Sequence, residues 1–158
     1  MPLSISSPVF ADHEPLPAKY TCDGDGISPP LVFSGVPENT KSLVLVVDDP
    51  DAPDPAAPRM IWVHWILYNL PPDTSGLPEG VPPYALPEGT RAGITDSGNT
   101  EYGSPCPPTG THRYIHHLYA LDIVLPDMNQ PAKPVLLAAM AGHVLEKADL
   151  AGLYRRKR

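Results

Sequence analysis

The sequence predicts a β-rich sandwich with a C-terminal helix, not an alternating α/β sheet. Three observations point there. Twenty-three of the 158 residues are proline, about three times the usual ~5%, and proline removes a helix donor and clashes with the preceding turn. The hydrophobic residues, 42% of the chain, cluster in compact runs between those prolines, so the proline content signals rigid loops rather than disorder. Helical spacing shows clearly only near the end. The length suits one domain, 1–158, and such a chain buries about 70% of its unfolded surface without staples.

Taken in order, Leu3 to Phe10 reads as a short strand, with Leu3 and Ile5 alternating against serines. The stretch from Pro15 to Pro30 is a turn-rich loop carrying Asp23-Gly24-Asp25-Gly26. Leu31 to Phe33 resumes a strand. Lys41 to Asp48 contains the unbroken run Leu43 to Val47, a buried strand that runs into an acidic, proline-stiffened loop, Asp48-Asp49-Pro50-Asp51-Ala52-Pro53. Ile61 to Leu70 is rich in β-branched and aromatic residues. Strict alternation places Trp62, His64, Ile66 and Tyr68 on one face and Ile61, Val63, Trp65 and Leu67 on the other. Both faces are apolar, which predicts a central strand with His64 inside the buried surface. Pro71 to Thr111 is a long loop region expected to close over something, since structureless loops of that length are otherwise unusual.

Thr111 to Leu125 is the last long strand, with His112, Tyr114, His116 and Leu118 on one face and Arg113, Ile115, His117 and Tyr119 on the other. Pro134 to Lys147 shows helical spacing at Leu136, Leu137, Met140 and Val144, with Pro134 in the favoured first turn. Ala148 to Tyr154 is expected to be a terminal turn or helix, and residues 155–158 a frayed basic tail.

Charge and motifs narrow the function. Lys and Arg number 11 against 18 Asp and Glu; four of the bases are the last four residues, leaving a body of net charge −11 that repels nucleic acid and anionic lipid. No apolar run approaches the ~18 residues of a membrane span, and Met-Pro-Leu-Ser does not open a signal peptide, so a cytoplasmic location is expected. Cys22 and Cys106 both lie in loops, and free thiols are the expectation for that compartment. Nucleophile elbows, metal-protease and phosphate-loop motifs do not occur. Asp23-Gly24-Asp25-Gly26 fails as a calcium loop because Ser34 stands where a glutamate is required. No cofactor and no metal are expected.

Three constellations remain. Asp49 sits where the buried strand emerges. His64 lies in Trp62-Val63-His64-Trp65. His112 and Tyr114 share a face within Gly110-Thr111-His112-Arg113-Tyr114, while Arg113 points away toward an acid such as Asp51.

Asp49-Pro50-Asp51-Ala52-Pro53, Trp62-Val63-His64 with Tyr68-Asn69, and Gly110-Thr111-His112-Arg113-Tyr114, in this order, resemble the phosphatidylethanolamine-binding protein family. The Ser28-Pro29-Pro30-Leu31 turn agrees, and Cys106-Pro107-Pro108 and Tyr119-Ala120-Leu121-Asp122 resemble its bacterial and archaeal, Raf kinase inhibitor-like branch. The resemblance covers nearly the whole chain. It implies two antiparallel sheets packed as a Greek-key-like sandwich, with a small anion-binding pocket at one end. Carried over residue by residue, that pocket holds Asp49, Pro53, Trp62, His64, Pro107, His112 and Tyr114. A cis Ala52-Pro53 bond is also implied.

Phosphate needs donors, which His64, His112 and the Tyr114 hydroxyl supply. Asp49 then either holds a histidine charged and oriented or meets the cationic end of a zwitterion such as phosphoethanolamine. Anion binding is expected to strengthen as pH falls from about 8 to 6. The expected function is non-catalytic binding of small phosphorylated or anionic groups, with a protein kinase or protease as the kind of partner the pocket would modulate. No nucleic acid and no integral membrane association are expected. The alternatives are an acid–base hydrolase or lyase using His64 or His112 with Asp49 as orienter, and an interaction module whose apolar surface near the helix makes a homodimer.

Overall fold

The structure is a computed structural model and describes residues 2–156. Its core is a six-stranded sheet in the order β2-β9-β8-β4-β5-β7, faced by a three-stranded sheet in the order β1-β3-β6. The long strands are β4 (Ser42–Ala52), β5 (Met60–Leu70), β8 (His112–Leu121) and β9 (Val144–Tyr154); β1 is Ser4–Ser6, β2 Glu14–Pro15, β3 Leu31–Ser34, β6 Gly76–Leu77 and β7 Arg91–Ala92. The two-sheet sandwich expected from the sequence is the observed architecture. All pairings are antiparallel except β2 with β9.

Leu43, Leu45 and Val47 of β4 alternate with Val44 and Val46, so this strand serves two cores at once. The first set packs between the sheets with Phe33, Trp65, Leu67 and Leu118. The second packs on the outer face with Tyr68, Leu121, Leu136 and Met140, under the helix α1 (Lys133–Met140).

Several elements differ from the sequence-based expectations. The first strand stops at Ser6, just before Pro8, rather than running to Phe10. β4 continues as strand through the acidic segment to Ala52. The helix ends at Met140 instead of Lys147, because Gly142 at φ 83° takes the left-handed turn that closes it. Ala148 to Tyr154 is neither turn nor helix: it belongs to β9, which pairs with β8 from Val144 to Tyr154. β5 is an interior strand as expected, between β4 and β7, but its two neighbours differ in length. Its outer neighbour β7 has only two residues, and beyond it the 93–103 loop takes over, with Gly93, Asp96 and Gly103 donating to the carbonyls of Ile66, Val63 and His64.

Strict alternation also fails on β5. Val47 pairs with Trp65 but Asp48 with Val63, a bulge at His64. An extra residue in one strand of a pair shifts the face phase. Trp62 and His64 therefore share a side with Trp65 and Leu67, while Val63, Ile66 and Tyr68 take the outer one. Finally, Cys22 and Cys106 form a disulfide with Cα atoms 5.4 Å apart, contrary to the expectation of free thiols. The 105–106 segment is brought to Cys22 by a backbone bond from Cys22 N–H to the Pro105 carbonyl, 3.0 Å. Lys157 and Arg158 of the expected tail lie outside the described residues; Arg155 and Arg156 are placed against the rest of the fold.

Candidate functional site

The end of the sandwich where β4, β5 and β8 converge holds a cavity of about 390 Å³, within the range of small-molecule sites. Every residue expected there borders it: Asp49, Pro53, Trp62, His64, Pro107, His112 and Tyr114. β4 supplies Asp49, the residue after Asp48, on the inner face. The bulged start of β5 supplies Trp62 and His64, and alternate positions of β8 supply His112 and Tyr114. The Ala52-Pro53 bond is cis, as the resemblance implied. Sequence reasoning missed Met60, Ser97, Ser104, Cys106 and Pro108 on the same wall. The two serines lie in the long loop among many other hydroxyl residues, and no spacing marks them.

Asp49 is buried and fully used. Its Oδ1 accepts the Asp51 N–H at 2.8 Å, and its Oδ2 accepts from His112 Nδ1 at 2.5 Å. The other nitrogen of His112, Nε2, meets the Thr109 carbonyl at 2.8 Å. Both ring nitrogens are thus engaged by protein oxygens. Asp49 thus orients a histidine. One correction follows: in this state His112 has no N–H left for a ligand. It reaches an anion only by exchanging the Thr109 carbonyl, which makes the 107–110 loop the part that must move.

His64 donates from Nδ1 to the Gly103 carbonyl at 2.7 Å, and Gly103 N–H donates back to the His64 carbonyl at 2.8 Å. A Cβ at position 103 would stand 3.3 Å from that carbonyl, so glycine suits the approach. Burial lowers the His64 pKa, outweighing the Gly103 carbonyl and the more distant Asp49, Asp48 and Asp96. The ring is therefore neutral at pH 7. Its Nε2 carries a lone pair and has no partner among the described residues. Tyr114 lies edge-on to His64, ring centroids 5.3 Å apart, and stacks on His112 at 6.2 Å. Burial, then the Asp49 charge, push its hydroxyl well above the usual range, so it stays a donor.

Arg113 faces away, as expected, and grips Asp51 with Nε and Nη2, each at 2.9 Å. Those hydrogen bonds hold the Asp51 carboxyl below its ordinary value against the opposing effect of burial. The bidentate pair lashes the outer end of β4 to β8.

Among the described residues no cluster of His, Cys, Asp and Glu is arranged to hold a metal ion, and no helix is long and apolar enough to cross a membrane.

The chain is similar to known proteins over almost its whole length. The family model for phosphatidylethanolamine-binding protein matches residues 6–155. A UPF0098 protein of Methanothermobacter thermautotrophicus is 49% identical over 98% of this chain and 99% of its own. The crystal structure of a phosphatidylethanolamine-binding protein homologue from Chlamydia trachomatis superposes with a TM-score of 0.90 at 44% identity, covering 99% of both chains. That of Escherichia coli YbcL, described as a member of the mammalian family, gives 0.87 at 27% identity, covering 99% of this chain and 100% of its own. With three motifs, two sheets and the end cavity all in agreement, this chain belongs to the phosphatidylethanolamine-binding protein family.

Proposed function

We propose that the protein binds small phosphate-class anions, phosphoethanolamine-like, at the β4-β5-β8 cavity without transforming them. The observation that carries this is the arrangement of charge: the acid of the site is turned into His112, and polar groups of Tyr114, Ser97 and Ser104 line the opening. Anion binding couples to proton uptake. An unprotonated Nε2 on His64 offers a lone pair and no donor, so a fully ionised oxyanion is welcomed only when that nitrogen takes a proton. His112 contributes once its Nε2 leaves Thr109.

A second reading, an acid–base hydrolase or lyase, draws on the same lone pair, because a neutral buried imidazole is a general base. Against it, no side-chain hydroxyl among the described residues hydrogen-bonds to His64. Calorimetric titration with inorganic phosphate and phosphoethanolamine, beside a turnover assay on a phosphoester panel, separates the two. Saturable binding with no product is expected; product formation that is lost in His64→Ala replaces the first reading by the second.

Modulation of a protein kinase or protease by the loaded pocket is the downstream part of the proposal, and so is a homodimer through the apolar surface around α1, which light scattering reads. A cytoplasmic location is proposed too. The Cys22–Cys106 bond sets its condition, since oxidised pairs are uncommon in mesophilic cytosol, and a thiol count on protein isolated from its host tests it.

A further inference from the structure

The cavity has a basic neighbour that the reading above leaves unused. A smaller hollow of about 190 Å³ shares Pro107 and Pro108 with it and is completed by Thr109, Gly110, Arg155 and Arg156. The two spaces adjoin at these prolines. The strand register explains why arginines stand there. Tyr154 pairs with His112, so the residues after Tyr154 are delivered to the loop that precedes His112. Gly110, at φ 74°, makes the turn in that loop, and a Cβ on it would stand 2.9 Å from Pro55 Cδ.

The two arginines are engaged to different degrees. Arg155 is exposed and makes no ion pair among the described residues. Arg156 is ion-paired with the Asp23 carboxylate at 3.8 Å, yet its Nε is withdrawn from solvent with no hydrogen bond. In a chain whose first 154 residues carry 7 bases against 18 acids, two guanidinium groups on one polar hollow are a marked reversal of charge.

We infer that this hollow is a second anion subsite. The preferred ligand carries two phosphate-class groups on a short spacer, one in the cavity and one on Arg155 and Arg156 beyond Pro107 and Pro108. The inference rests on the proposed function for the first group. A guanidinium fork matches phosphate oxygens in pairs, and the two prolines where the spaces adjoin fix the distance that the spacer must cover. A soluble bisphosphate and a polyphosphorylated lipid headgroup share this chemistry.

The test is calorimetry on the full chain at low ionic strength, with inorganic phosphate and with a series of α,ω-alkanediol bisphosphates. The best bisphosphate is expected to bind about tenfold tighter than phosphate, an advantage that shrinks as salt is added. The double variant Arg155→Gln/Arg156→Gln should erase that advantage, while phosphate still binds saturably at the His64 cavity. Equal affinity for phosphate and every bisphosphate overturns the inference alone, as does an advantage that survives the double variant. Absence of binding by phosphate and bisphosphates overturns the proposed function with it. Phosphatidylcholine vesicles with and without phosphatidylinositol bisphosphate then identify the source. Retention on the doped vesicles that the double variant loses assigns the second group to a lipid headgroup; soluble binding without retention assigns it to a free bisphosphate.

Discussion

Asp48 and Asp49 are neighbours on one strand, leave it by opposite faces, and each finds a histidine of β8. What surrounds the two pairs decides which of them borders a site. On the outer face Asp48 accepts from His117 Nε2 at 2.9 Å and from Lys133 of α1 at 2.6 Å. His117 donates its other nitrogen to Asp149 at 2.8 Å, and Lys147 lies 3.7 Å from Asp149. Every charge there is answered by protein, and the cluster pins the helix to the sheet. Burial works to raise the Asp48 pKa, but the hydrogen bonds from His117 and Lys133 win and hold it low. On the inner face Asp49 and His112 make the same kind of pair, yet no lysine among the described residues pairs with them. They border open space, and that wall is braced by the Cys22–Cys106 bond instead. Identical chemistry is a clasp where a cation closes it and a candidate site where none does.

The largest expected effect breaks the clasp. Asp48→Ala leaves Lys133 and His117 facing a void and should cost about 3–5 kcal/mol in urea denaturation, with phosphate affinity unchanged. A loss of affinity at intact stability would show that the two faces are not independent. Next is the covalent brace. Replacing Cys22 and Cys106 by serine should cost about 2–4 kcal/mol and, unlike Asp48→Ala, also weaken phosphate binding, because Cys106 and Pro107 form the cavity wall. Wild-type affinity in that variant would detach the bond from the site.

A third histidine sharpens the contrast. His116 lies on the inner face of β8, fully buried against Phe10, with neither ring nitrogen in hydrogen-bond geometry. Burial drives its pKa down to about 4, outweighing the opposing effect of the Leu150 and Tyr114 backbone. The unfolded chain, at about 6.5, binds the proton more readily. Stability that is complete above pH 6.5 should therefore fall as pH drops toward 4, by about 3 kcal/mol from this residue. His116→Leu should flatten that slope in denaturation curves measured across the range, and an unaltered slope would place the acid sensitivity elsewhere. The smallest expected loss is local to the site. His64→Ala should weaken phosphate binding by roughly 1.5–3 kcal/mol, while His117→Ala leaves it alone.

These contrasts were only partly legible in the sequence. The faces of β8 follow from alternation, and the Arg113–Asp51 pair follows from those faces, because β8 is regular from His112 to Ala120. The faces of β5 do not follow, since one extra residue at His64 reverses the phase and the bulge depends on β4 opposite it. β9 was hidden for a similar reason. Leu136, Leu137, Met140 and Val144 keep helical spacing past the true end, and only pairing with β8 makes Val144 to Tyr154 a strand. The gathering of Asp49, His64, His112 and Tyr114 was legible through family motifs rather than through spacing. The engagement of both His112 nitrogens, which leaves it no free donor, depends on the Thr109 carbonyl, and no residue type announces a carbonyl.

The most direct measurement is a sulfate titration followed by NMR of the histidine side chains, repeated across pH, because sulfate keeps its charge where the imidazoles titrate. A bound anion favours protonated His64, so its pKa should rise on binding. Affinity should then strengthen as pH falls through that raised value, with saturable shifts at His64 and His112 and none at His117. A pH-independent affinity with His64 unmoved, or shifts as large at His117, would contradict the account.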